Sequence, residues 1–207
     1  SFDEYGMKLM EFTLISIPKV KSEFVEIPFG DGSIDVSDVL TGYPTFENRE
    51  FTLIFSLTWN HQENQLYLSK IQNELIGKKV KMTLENDPSY YLNTRIISGN
   101  IEHSEYNNHI FLEFECVSDP YKYKIKETIK TFNLKSGTTK INLYNDYLRV
   151  YPEIISSINL KINNIEFKSG ERNFEFYLGK GLNEIIVESN SEASFTLKFR
   201  EGRIEFV

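Results

Sequence analysis

Apolar residues recur at every second position through most of this chain, and at helical spacing in one stretch alone. Successive side chains of a strand point to opposite faces, so this pattern commits the chain to half-buried sheets. In Arg49 to Leu57 (REFTLIFSL), Phe51, Leu53, Phe55 and Leu57 share one face, and in Ile110 to Val117 the set is Ile110, Leu112, Phe114 and Cys116. Lys8 to Ile17, Val80 to Leu84 and Tyr90 to Ile97 read the same way, and Ile101 to Tyr106 follows a turn expected at Ser98-Gly99-Asn100. The 16 Phe and 12 Tyr favour pleated surfaces over helices. The predicted class is therefore mainly β.

The exception is Asn60 to Ile76, where Leu68, Ile71, Leu75 and Ile76 form one stripe and Asn60 with Glu63 makes a capping pattern. Gly77 then stops the helix. The alternation breaks at Asp119-Pro120, and Tyr121 to Lys130 (YKYKIKETIK) reads as a basic, strand-like connector between two domains, 1–130 and 131–207. Beyond it, short stretches at Lys140 to Leu143, Ser157 to Ile162, Ile165 to Phe167, Asn173 to Leu178, Glu184 to Glu188, Ser194 to Phe199 and Arg203 to Val207 are separated by turns such as Asn163-Asn164 and Gly179-Lys180-Gly181. That spacing predicts a small β-sandwich.

Chemistry is short of parts. Cys116 stands alone and sits on an apolar face, which reads as a core residue. His61, His103 and His109 have no ligand spacing, so no metal or cofactor is expected. Glu113 and Glu115 alternate with buried residues and read as a solvated face rather than an acid–base pair. There is no Gly-x-Ser-x-Gly elbow and no phosphate-cradling glycine loop, so an enzyme is not predicted. Trp59 reads as a core anchor at a strand-to-helix junction. A net charge of −7 argues against gripping nucleic acid by its phosphates. The acidic start and the absence of a long apolar run predict a soluble chain without membrane insertion.

Residues 18–48 are different in kind. They hold Pro18, Pro28 and Pro44, a strand-like piece at Glu23 to Ile27, and three aspartates, Asp31, Asp35 and Asp38, spaced four and three apart. An EF-hand loop needs ligands at alternating positions and a closing Glu, so this spacing fails as a calcium site. Asp35 and Asp38 are alternatively turn-capping residues after Ile34. An excursion this long between two strands suggests an arm completed by neighbouring chains.

The segments "GDGSIDVSDVLTG" and "FENREFTLIF" after Ile27-Pro28, "LIGKKVKMTLENDPSYYLNTRI", "FLEFECVSDPYKY", "NDYLRVYPEI" and "LGKGLNEIIVES" together resemble the distal tail protein of long, non-contractile phage tails. The resemblance spans nearly the whole chain. It implies a tail-tip hub of a phage, prophage or tail-like particle: a ring of six copies around a channel, each β-arm embracing its neighbour, with peripheral galectin-like second domains. Implied partners are further copies of the chain, the tail tube protein, a tail-tip or tail-associated lysin protein, and receptor-binding or baseplate proteins, with DNA passing through without specific binding. Ile27, Pro28, Asp31, Asp35, Asp38, Leu40 and Arg49 are then the expected subunit-interface residues, with Arg49 answering one of the three aspartates within or between subunits. The alternative is a carbohydrate-binding adhesion module that recognises the host surface.

Overall fold

The structure is a computed structural model describing residues 5–12, 15–58, 64–103, 109–146, 148–168 and 175–205. It is mainly β, and it divides into two compact units. The first comprises Ser1–Leu84, Leu92–Pro120 and Glu205–Val207; the second comprises Glu85–Tyr91 and Tyr121–Ile204.

The first unit is built on an antiparallel sheet whose strands, in spatial order, are β1 (Lys8–Phe12), β4 (Arg49–Thr58), β7 (His109–Lys124), β6 (Tyr90–His103) and β5 (Lys79–Met82). Phe51 pairs Cys116, Leu53 pairs Phe114 and Phe55 pairs Leu112, so the predicted apolar faces of β4 and β7 coincide. One helix, α1 (Asn64–Leu75), covers that face with Leu68, Ile71 and Leu75. Burying each such side chain contributes about 1.5–3 kcal/mol. The predicted capping residues Asn60 and Glu63, and Trp59, lie outside the described residues. Gly77 stops the helix at φ 79°, and its amide bonds the Ile96 carbonyl at 2.8 Å.

Ser98-Gly99-Asn100 is not a turn, because β6 runs unbroken through it. Gly99 allows a close approach: a Cβ there would lie 3.1 Å from the Phe114 ring and 3.2 Å from Ile76, tight enough that those side chains would have to give way. The alternation does stop after Ser118, with Asp119, Pro120 and Tyr121 all half-buried, but the strand does not end there, for β7 continues to Lys124. Pairing with β4 ends at Arg49↔Ser118, so the missing amide of Pro120 falls beyond that ladder.

In the second unit, a three-stranded sheet of β10 (Glu153–Ser156), β14 (Ala193–Phe199) and β8 (Thr128–Leu134) faces a four-stranded one of β12 (Ile165–Phe167), β11 (Leu160–Ile162), β13 (Gly181–Ser189) and β9 (Gly137–Asn145). Both sheets feed one core that includes Ile154, Leu160, Ile162, Phe167, Ile185, Val187, Phe195 and Leu197, which makes the unit a sandwich. Asn163 and Asn164, at φ 48° and 68°, close β11 onto β12 as a two-residue turn. Of the strand expected over Asn173 to Leu178, the described part makes one bridge, Val150↔Leu178. Of that expected over Arg203 to Val207, the described part is strand only at Arg203, in β15 (Gly202–Arg203).

Candidate subunit interface

Between β1 and β4 the first unit sends out an excursion with its own small ladder. Val20 bridges Phe46, the Lys21 amide donates to the Thr45 carbonyl at 2.9 Å, and the Glu47 amide donates to Lys19 at 2.8 Å. Further out, β2 (Phe24–Glu26) and β3 (Ser33–Asp35) pair through Phe24↔Asp35, Val25↔Ile34 and Glu26↔Ser33. Every residue from Lys19 to Asp35 is exposed.

The register sorts the side chains of this hairpin. Val25 and Ile34 lie on one face, with Ile27 following by alternation, while Phe24, Glu26, Ser33 and Asp35 lie on the other. One face is thus aliphatic and the other mixed, with Glu26 and Asp35 beside Phe24 and Ser33. Val25, Ile27 and Ile34 are 49%, 40% and 56% exposed, so nothing among the described residues covers them. A two-stranded ribbon is marginal in water by itself, and an uncovered apolar face marks an interaction surface. At the tip, the Gly30 amide reaches back to the Ile27 carbonyl at 3.1 Å, and Phe29 is held at φ 59° with its ring fully exposed. A bulky residue in that backbone region is disfavoured, so the turn spends strain to present an aromatic ring.

Beyond β3, Asp35 accepts hydrogen bonds from the amide and the hydroxyl of Ser37, and these bonds hold its carboxyl below the usual range. The Gly42 amide then bonds the Asp38 carbonyl at 2.7 Å, and Gly42 leaves the turn at φ 69°. Val39 and Leu40 project from this turn, Leu40 being 97% exposed.

Arg49 has the opposite surroundings. It is 2% exposed, and it donates to three backbone carbonyls: Nε to Pro120 at 2.8 Å, Nη1 to Ser16 at 3.1 Å and to Glu205 at 2.8 Å. Burial lowers its pKa from the ordinary value, and Nη2 is buried without a partner among the described residues. The guanidinium ties the chain just before the arm, the strand after it, the end of the β4–β7 ladder and Glu205 into one knot. Of the expected interface residues, Ile27, Pro28, Asp31, Asp35, Asp38 and Leu40 lie on the exposed arm and Arg49 lies in its root. Within one chain the structure does not bring Arg49 to any of the three aspartates. Sequence reasoning passed over Val25, Phe29, Ile34 and Val39; the period-two spacing of Glu23 to Ile27 was the available signal for Val25.

The catalytic candidates do not converge. Cys116 is buried, and desolvation pushes its thiol up to about 12, so it carries no thiolate near neutrality. Glu115 accepts from Ser98 at 2.6 Å. Among the described residues no group of three His, Cys, Asp or Glu could hold a metal ion, and no helix is long and apolar enough to cross a membrane.

A helix-backed antiparallel sheet, an exposed β-arm and a small sandwich define a class of two-unit β protein. The solved structure of SPP1 Dit (gp 19.1) shares this fold: it is 12% identical in sequence, with a TM-score of 0.64 over 94% of this chain and 93% of that one. That protein is described as a paradigm of the hub adsorption apparatus in phages infecting Gram-positive bacteria. At this identity the likeness establishes the fold. No protein-family model matches the chain, and no curated protein sequence does.

Proposed function

We propose that this chain is a structural subunit of a phage tail tip, or of a prophage or tail-like particle. Six copies assemble as a ring that joins the tail tube to the baseplate or receptor-binding apparatus, with partners that include a tail-tip or tail-associated lysin protein. The ring leaves a channel through which DNA passes without specific binding. Each copy lends its hairpin to the next, and the second units, galectin-like in shape, stand outside the ring. No enzymatic step belongs to this role, and the particle's tail tip is where it is performed.

The observation that carries this reading is the arm. A ribbon with an uncovered Val25–Ile27–Ile34 face, a fully exposed Phe29 and a rigid Arg49 root is built to be completed by another surface. Five carboxylates, Glu23, Glu26, Asp31, Asp35 and Asp38, and no Lys or Arg occur between Ser22 and Leu40, which keeps the ribbon soluble before it docks. The likeness to a hub adsorption protein supports a tail-hub role.

Native mass spectrometry of the full chain across rising concentration tests the reading. A sixfold species is expected for the wild type, and a monomer for the Val25→Glu, Ile34→Glu double variant with an unchanged circular dichroism spectrum. A wild type that stays monomeric alone and with its tail-tube partner, or a variant that assembles as well as wild type, would overturn it.

A further inference from the structure

The second unit presents a docking surface of its own. Among the described residues β8 pairs with β14 alone and β9 with β13 alone, so each sheet of the sandwich ends in an edge strand without a described partner on its outer side, of seven and nine residues. The two edges lie on the same side, because the chain turns from β8 into β9 across Lys135 and Ser136, and the Ser136 hydroxyl bonds the Asn190 carbonyl of the matching β13-to-β14 turn at 3.3 Å. Neither edge is covered among the described residues.

This side carries an excess of lysine in an acidic chain. From Lys126 to Asn145 there are four lysines, Lys126, Lys130, Lys135 and Lys140, against one acid, Glu127, in a protein of net charge −7. Glu127 is already answered by Lys198 at 3.1 Å and Arg200 at 3.6 Å, and Lys140 by Glu184 at 3.4 Å. Lys126, Lys130 and Lys135 are exposed and make no ion pair among the described residues. Lys130 pairs across from Leu197, a fully buried core residue, so it occupies an inward-facing position and is nonetheless in solvent. The sandwich is therefore open at this point, with Phe132 half-buried and stacked on Phe195 just beyond.

We infer that this open side receives an extended, acidic polypeptide segment of a partner protein, added as a further strand to β8 or β9. Lysines on an edge, one of them pointing inward, repel a second copy of the same edge. The same charges attract a strand that carries carboxylates, while the unpaired backbone groups supply binding and Ile129 and Tyr144, both exposed, flank it. The ring reading above rests on the arm of the first unit, so the two stand or fall separately.

The test is amide exchange by mass spectrometry on the full chain, with a peptide of about eight residues alternating glutamate and valine, and with its lysine counterpart. The expected result is protection of 128–145 by the acidic peptide alone, weakened roughly tenfold in a Lys126→Glu, Lys130→Glu, Lys135→Glu variant of unchanged melting temperature, three exposed ion pairs being lost. Absence of protection would overturn the proposal and leave the lysines as guards against edge pairing. So would equal protection by the lysine peptide, protection confined to the arm, or wild-type self-association through this edge that the triple variant abolishes.

Discussion

β2–β3 and β11–β12 are both antiparallel hairpins with three residues in each strand and three cross-strand pairs. In β11–β12, Leu160, Ile162 and Phe167 are buried between two sheets, and a two-residue Asn163-Asn164 turn matches the strand twist. In β2–β3 all six strand residues are exposed, and six residues separate the strands. The aliphatic content of the two is comparable; the difference lies in what lies above them. The same ribbon is a core element where its own chain covers it and an exposed surface where its own chain does not.

The comparison breaks most sharply by truncation. Phe167, packed edge-to-face on Phe176 at 5.8 Å, is expected to cost about 3–5 kcal/mol when changed to Ala, read by urea denaturation. The corresponding change on the arm, Ile34→Ala, is expected to shift chain stability by less than about 0.5 kcal/mol. Equal losses at the two positions would mean that the arm is covered by its own chain.

Next in size is the root. Arg49→Met removes the guanidinium donor from three carbonyls, and a loss of about 3 kcal/mol is expected, most of which persists in Arg49→Lys because an ammonium cannot span the fork. Stability close to wild type in the methionine variant would show that the knot is dispensable.

This contrast also marks what a one-dimensional pattern can carry. The faces of β4 and β7 were legible because alternation is local and both strands are long. Gly99 was misread, since a glycine punctuates a turn and a close approach alike, and only Phe114 across the sheet distinguishes them. The surroundings of Arg49 were beyond reach: its acceptors lie 33, 71 and 156 residues away and are main-chain atoms, which no side-chain pattern announces. On the arm, Asp31, Asp35 and Asp38 stand out as charges, whereas the period-two spacing of Glu23 to Ile27 points only to Val25 and the three-residue β3 is too short for its period to expose Ile34.

The turns sharpen the comparison further. Asn164→Ala in the covered hairpin is expected to cost about 1 kcal/mol, because alanine resists a φ of 68°. Phe29→Gly at the arm tip relieves the same kind of strain while loosening the unfolded chain, so thermal melting is expected to move little. The glycine variant is instead expected to weaken assembly in native mass spectra. Unimpaired assembly would remove Phe29 from the interface.

Acid offers the smallest and most selective probe. Burial alone would raise the pKa of Glu201, yet hydrogen bonds from Thr128 and Lys124, with the charges of Lys124 and Arg203, more than offset it and leave the pKa low. Asp35 is lowered too, by Ser37, but stands fully in solvent. A carboxylate with a depressed folded pKa contributes stability that is present above its unfolded pKa and is lost as pH falls through the folded one. For Glu201 that loss falls on the second unit, and Glu201→Gln is expected to flatten the dependence of melting temperature on pH below the ordinary glutamate range. For Asp35 it falls on one local turn of the arm, so Asp35→Asn is expected to leave the acid limb of the curve in place. An acid limb that follows Asp35 and ignores Glu201 would reverse the assignment, placing the stability-determining carboxylate on the uncovered ribbon rather than beside the sandwich.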